Sequence, residues 1–221
     1  MKKWMKFEGY LVSGEWHVHT SYTDGANTVL QLVAAAEKLK IPLIAFTEHV
    51  RRDLTYDFND FLSDIEKARE EFPDVIVLSG IEAKVLPDGS LDVDKEILSA
   101  VDHAIFAFHS FKGSADEFLQ SLKNVIKNNE ISAWAHPMPY STERPSNSEL
   151  GEIFQLMEKN CVLLEINSKY GAPPKSWIDL AKKMGVKFVR GSDVHKISDL
   201  KRVKFDCGEE IYTFLEHLNP L

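Results

Sequence analysis

The sequence predicts one α/β domain in which short parallel strands alternate with helices and the sheet closes into a barrel. Three observations lead there. Runs rich in β-branched and aromatic residues alternate with helix-period segments along the chain. Several runs, such as Leu43-Ile44-Ala45-Phe46 and Val75-Ile76-Val77-Leu78, are apolar at every position, as strands covered on both faces are. Histidines and carboxylates gather at the strand ends, and this favours a closed barrel over an open sheet.

The candidate strands span 14–20, 42–47, 75–82, 103–109, 131–136, 161–167 and 186–191. Thr28 with Gln31 reads as a capping box, opening a helix whose apolar face is Val29, Leu32, Val33, Ala36 and Leu39. Ser114 and Glu117 repeat the pattern ahead of Phe118, Leu122, Val125 and Ile126. A helix over 174–184 ends at Gly185, a residue suited to a helix stop. Further helices fit 58–71, 148–160 and 209–218, and the stretch 87–100 reads as a turn followed by a short helix. Seven strand-then-helix units in 221 residues leave no room for a second domain, so 1–221 reads as one unit.

Composition narrows the function classes. With 44% hydrophobic and 27% charged residues this is an ordinary globular mix, and no apolar run is long enough to span a bilayer. The opening lysines lack the apolar stretch of a signal peptide, and the two cysteines, Cys161 and Cys207, are too few for a disulfide framework. A reducing, cytoplasmic setting is expected. The net charge of -8 and the lack of a basic stripe make nucleic acid an unlikely partner and point to a small substrate.

His17 and His19 stand two apart on the first strand, so both leave the same face. His49 follows the second strand beside Glu48; Glu82 ends the third, His109 the fourth and His136 the fifth. Asp193 and His195 follow the seventh, and Asp24 lies on the loop after His19. A single histidine at a strand end is ordinarily a polar cap. Joint placement argues otherwise, because accidents would scatter histidines over helices and both ends of the barrel. His103, at the start of its strand, and His217, in the last helical segment, mark that contrast and are expected to be structural or surface residues. Imidazole with carboxylate is the donor set of zinc, manganese or iron. Nine donors exceed what one ion takes, so two or three divalent ions sharing a bridging carboxylate are implied.

At these residues the sequence resembles the PHP family, named for polymerase and histidinol phosphatase. The motifs are His17-Val18-His19-Thr20 with Asp24-Gly25, Thr47-Glu48-His49, Gly80-Ile81-Glu82, His109-Ser110, His136-Pro137 and Gly191-Ser192-Asp193-Val194-His195. The resemblance implies a distorted (β/α)7 TIM-like barrel with a trinuclear site that hydrolyses phosphoesters. It also implies ligand sets: His17, His19, Glu82 and Asp193 for one ion, Glu82, His109 and His136 for a second, and Asp24, His49 and His195 for a third. Some members carry histidine in place of Asp24, and Thr23 stands where the family usually has serine.

The reading that results is a metal-dependent phosphatase or phosphoesterase. It cleaves a small phosphorylated metabolite through a hydroxide bridging two ions, with Glu82, Asp193 and His195 as catalytic residues. Glu165 and Asn167 share a strand face, where either can orient a ligand or meet substrate. Among the loop cations Arg51, Arg52, Arg144 and Lys169, the candidates for binding substrate are Arg144 and Lys169, each a few residues past a strand end. Histidinol-phosphate phosphatase, nucleotide phosphatase and exonuclease are alternatives within the family; an amidohydrolase-type C–N hydrolase is the alternative outside it.

Overall fold

The computed structural model describes residues 2–109, 111–128, 130–138 and 145–202. Arg144, Cys207, His217 and the helix expected over 209–218 lie outside these residues. Seven strands follow in chain order: β1 (Glu15–Val18), β2 (Leu43–Val50), β3 (Ile76–Lys84), β4 (His103–Ala107), β5 (Ala133–Trp134), β6 (Leu163–Asn167) and β7 (Phe188–Gly191). Each pairs in parallel with the next, and Val194, just past β7, bridges back to Val18. The result is a nearly closed, distorted (β/α)7 barrel. Between the strands lie α1 (Val29–Leu39), α2 (Phe58–Glu71), α3 (Lys95–Ala100), α4 (Ala115–Ile126), α5 (Asn147–Lys159) and α6 (Lys175–Lys183). No helix among the described residues is long and apolar enough to cross a membrane.

Local chemistry sets the helix starts. Thr28, Ser114 and Ser146 each accept a hydrogen bond from the backbone three residues on, and Gln31, Glu117 and Glu149 reach back to complete three capping boxes. The first two match expectation. The third, with its cap at Ser146, starts α5 at Asn147, one residue ahead of the start expected at 148. Strand ends depend on neighbours and moved further. β1 stops at Val18, leaving His19 just beyond it, whereas β2 runs through His49 to Val50. β3 continues two residues past Glu82, because Ala83 pairs with Val50 of β2 and Ala83 and Lys84 pair with Phe106 and Ala107 of β4. β5 keeps only two residues.

Three layers bury the apolar residues. Two lie outside the sheet, where Val29, Leu32 and Val33 of α1 meet Ile44 and Phe46, and Phe118 and Leu122 of α4 meet Phe106 and Trp134. The third fills the barrel itself with Leu43, Ala45, Leu78, Ile105, Ala133, Leu163 and Val189. An unforeseen 3-10 helix, Lys3–Tyr10, covers the N-terminal end of that interior. Its Trp4 is buried and donates to Cys161 O (3.1 Å), while Lys2 and Lys3 donate to the carbonyls of Ile131 (2.7 Å) and Ser99 (2.8 Å).

The seam between β1 and β7 carries a buried ion pair. Arg190 lies 2.9 Å from Glu15 and donates to the carbonyls of Gly14 (3.0 Å) and Lys201 (2.7 Å). The other Glu15 oxygen accepts from Ser192 N at 2.8 Å.

Candidate metal centre

A β-bulge aims the first ligand. Glu15 pairs with Ile44 and Val18 with Phe46, so three steps on β1 match two on β2. The extra residue lets both Trp16 and His17 face inward: Trp16 joins the interior layer, and His17 meets carboxylates from across the barrel.

His17 Nε2 lies 3.1 Å from His19 Nε2, 3.4 Å from Asp193 Oδ1 and 3.7 Å from Glu82 Oε2. His19 Nε2 is 3.1 Å from Asp193 Oδ1 and 3.6 Å from Glu82 Oε2. Bonds of about 2.0–2.2 Å to an ion at the centre of a tetrahedron separate its donors by about 3.3–3.6 Å, so the two imidazole nitrogens stand at ion-sharing distance both from Glu82 Oε2 and from Asp193 Oδ1. Glu82 Oε2 is buried and accepts no hydrogen bond, although it is surrounded by imidazole nitrogen. That is the state expected of a donor shaped for a cation.

The second Glu82 oxygen, Oε1, is 2.8 Å from His136 Nε2 and 3.4 Å from His109 Nε2. Farther out, Asp24 Oδ2 lies 3.2 Å from His195 Nε2 and 3.5 Å from His49 Nε2. His49 also reaches inward, with Nδ1 2.9 Å from Glu82 Oε2. Donor atoms close enough to share an ion include, among the described residues, those of His17, His19 and Glu82, those of His49, Glu82 and His109, and those of His19, His49 and His195. All nine residues singled out in the sequence therefore converge on one end of the barrel. The ligand sets implied by the family pattern overlap these groups, with His49 standing between the second and third.

Supporting residues hold the donors in place. A carboxylate can only accept, so His17 Nδ1 donates to Glu165 Oε1 (2.7 Å) and Nε2 is the ring nitrogen that faces the cluster. Glu165 also accepts from His136 N and from Asn167 Nδ2 (3.1 Å). It can stand there because position 191 is glycine; a Cβ at Gly191 would collide with its carboxylate. Glu48 faces away from the ligands and anchors their loop, accepting from Thr20 N (2.8 Å) and Thr23 Oγ1 (2.5 Å) just before Asp24. Lys169 donates to Asp193 Oδ2 at 2.8 Å and lies 3.2 Å from His195 Nδ1, so it joins the two ligands that follow β7. His136 (φ 28°) and Asp193 (φ 49°) both adopt left-handed backbone, a local strain found at sites where side-chain direction matters.

The electrostatics follow from burial and mutual charge. Burial works to raise the Glu82 carboxyl, but the neighbouring histidines, His17 foremost, hold it well below the usual carboxylate range. Asp193 is lowered in the same way, against its burial, by His19, His17 and Lys169. His17 is raised well above its ordinary value, because Glu165 and Glu82 outweigh burial. Burial pushes His19 down to about 4. Burial pushes Glu48 up to about 7 in spite of its bonds to Thr23 and Thr20 and the neighbouring His49.

The expected contrast at His103 holds in part. It lies away from the cluster but is fully buried, edge-on to Trp16 with ring centroids 5.0 Å apart. Sequence reasoning passed over Glu15 and Arg190, although a charge inside an apolar strand such as Phe188-Val189-Arg190 is a readable signal of a buried partner.

A parallel seven-stranded barrel with imidazoles and carboxylates converging at its C-terminal rim is the arrangement of a metal-dependent hydrolase. The profile of the PHP domain matches residues 15–169, and the chain belongs to that family. It is 27% identical over 209 residues to the DNA polymerase/3'-5' exonuclease PolX of Bacillus subtilis; the match takes in 87% of this chain but only 36% of the longer protein. A probable phosphatase of Acetivibrio thermocellus is 25% identical over 217 residues, covering 92% of this chain and 86% of the relative. Among solved structures, the histidinol phosphate phosphatase of Lactococcus lactis, complexed with zinc, L-histidinol and phosphate, superposes with a TM-score of 0.62 at 18% identity. That superposition covers 94% of this chain and 91% of the other and reports a common fold.

Proposed function

We propose that this chain, taken over 1–221 as a single domain, is a phosphoesterase that hydrolyses small phosphomonoesters at a site for two or three divalent ions, zinc, manganese or iron. The observation that carries the reading is the convergence of His17 Nε2 and His19 Nε2, 3.1 Å apart, on Glu82 Oε2 and Asp193 Oδ1, each within 3.7 Å of both nitrogens. Glu82 is assigned as the bridge, because its two oxygens face different histidines. Oε2 faces His17, His19 and His49, and Oε1 faces His109 and His136. Asp24, His49 and His195 are assigned to a third ion.

Ions bound there supply Lewis acidity, lowering the pKa of water and offsetting charge on phosphoryl oxygens. The protein supplies orientation. Asp193 turns one oxygen to the cluster and gives the other to Lys169, and His195 is held from the same lysine. Glu82, Asp193 and His195 are therefore the residues assigned to catalysis. Lys169, part-exposed at the rim, is the candidate to meet a substrate phosphate, with Arg144 as its counterpart outside the described residues. The net charge of -8 supports a small metabolite over a polyanion, and two cysteines in the whole chain fit a cytoplasmic setting.

The deciding experiment is a panel of small phosphomonoesters with the manganese- or zinc-reconstituted protein. Phosphate release that a chelator abolishes is expected. A metal-loaded protein inert toward the whole panel would overturn the proposal.

A further inference from the structure

Among the described residues the exposed large apolar side chains are Tyr10, Met138, Tyr170 and Ile197. Single exposed apolar residues need no explanation. Their distribution does, because three of the four stand at the rim of the candidate site. Met138 follows His136 by two residues, Ile197 follows His195 by two, and Tyr170 is next to Lys169.

Tyr170 is the most exposed of them at 48%, and it is held firmly. Asn167 and Ala172 exchange backbone hydrogen bonds (2.8 and 3.1 Å), which pins both ends of its loop. Inside the loop Asn167 Oδ1 accepts from Lys169 N (3.0 Å) and Tyr170 N (3.3 Å). The ring meets His136 edge-on, with centroids 5.5 Å apart and planes at 71°, and the Lys169 ammonium lies 5.3 Å from its centroid. A water-exposed aromatic ring is thus fixed, at no further ordering cost, between a ligand of the cluster and the cation assigned to phosphate.

We propose that Tyr170 is a specificity-determining residue: its ring is the wall against which a planar, aromatic or heteroaromatic leaving group packs while the phosphate faces the cluster. The substrate class is then a phosphomonoester with an aromatic group close to the ester oxygen. This rests on the phosphoester reading above. The ring geometry favours a planar group, since two aromatic rings stacked or edge-on gain more than their contact area alone gives.

Phenylphosphonate and methylphosphonate, whose P–C bond resists hydrolysis, separate the leaving-group contribution from turnover. Calorimetry on the manganese-loaded full chain should find phenylphosphonate bound about 3- to 10-fold more tightly than methylphosphonate. In Tyr170→Ala the affinity ratio should fall to near one, in Tyr170→Phe it should persist, and Tyr170→Leu should lie between. Hydrolysis of phenyl phosphate against glycerol phosphate should follow the same order in kcat/KM. Equal affinity for the two phosphonates in the parent protein, or an unchanged ratio in Tyr170→Ala, overturns the role of Tyr170 and leaves the phosphoester reading intact. If neither phosphonate binds and neither ester is cleaved with metal present, the phosphoester reading itself fails, and this inference with it.

Discussion

The carboxylate of Glu165 holds His17 from behind: Oε1 lies 2.7 Å from Nδ1, with both side chains buried, and the opposite ring nitrogen faces the donor cluster. A hydrogen bond to the far nitrogen of a ligand histidine fixes its tautomer and raises its basicity. Glu165→Gln keeps the shape and removes the charge. It should weaken metal binding by about 10- to 100-fold in competition with a chromophoric chelator. Affinity within a factor of two of the parent would show that His17 is oriented by packing alone.

Burial grades the ligands. His17, His19 and Glu82 side chains are 0–1% exposed, whereas His195, His49 and Asp24 reach 25%, 28% and 53%. An ion among the outer three is in contact with water and should be lost first. Elemental analysis during chelator dialysis is expected to show two phases. Asp24→Ala should remove only the fast one, whereas Glu82→Ala should cost more than one ion equivalent together with activity. A single phase, or equal loss in both variants, would count against separate sites.

His103 has neither ring nitrogen hydrogen-bonded and is pushed down to about 3 by burial. Its unfolded value is near 6.5, so the unfolded chain binds the extra proton and stability falls as pH drops from about 6.5 toward 3. Because the buried nitrogens have no partners to lose, His103→Leu should be neutral or stabilising at pH 7. Its advantage should then grow by on the order of 1–2 kcal/mol at pH 5. Denaturant melts of both proteins at the two pH values would settle this; a constant difference means the ring is not buried neutral.

Removing one partner of the Glu15–Arg190 pair leaves a charge without its counterion inside the seam. Glu15→Ala should cost about 3–5 kcal/mol of unfolding free energy. A loss below about 1 kcal/mol would indicate that the carbonyls of Gly14 and Lys201 satisfy the guanidinium unaided.

The order of the strands and the convergence of the nine site residues were legible because both are periodic or positional features. Capping boxes at Thr28 and Ser114 were legible too, as they are written within four residues. What escaped is decided by partners distant in sequence. Glu-Trp-His-Val reads as simple alternation until the ladder with β2 reveals the bulge at Trp16 and His17. β3 outruns Glu82 because of a neighbour, and Lys3–Tyr10 carries no apolar period, only a single buried tryptophan. His103 looked like a polar residue at the wrong end of a strand, and only the fold places it against Trp16.

β1 and β7 meet through the single bridge between Val18 and Val194, the contacts of Arg190 and little regular ladder. His17 and His19 belong to one lip of this join, Asp193 and His195 to the other. Anything that grips both lips at once behaves as a rivet. Its binding energy counts toward keeping the cylinder shut, and every opening of the cylinder disperses its own grip. Amide exchange at His19 and Val194, whose N–H groups donate across the join to Val194 O and His17 O, would therefore report occupancy of the centre as directly as a metal assay.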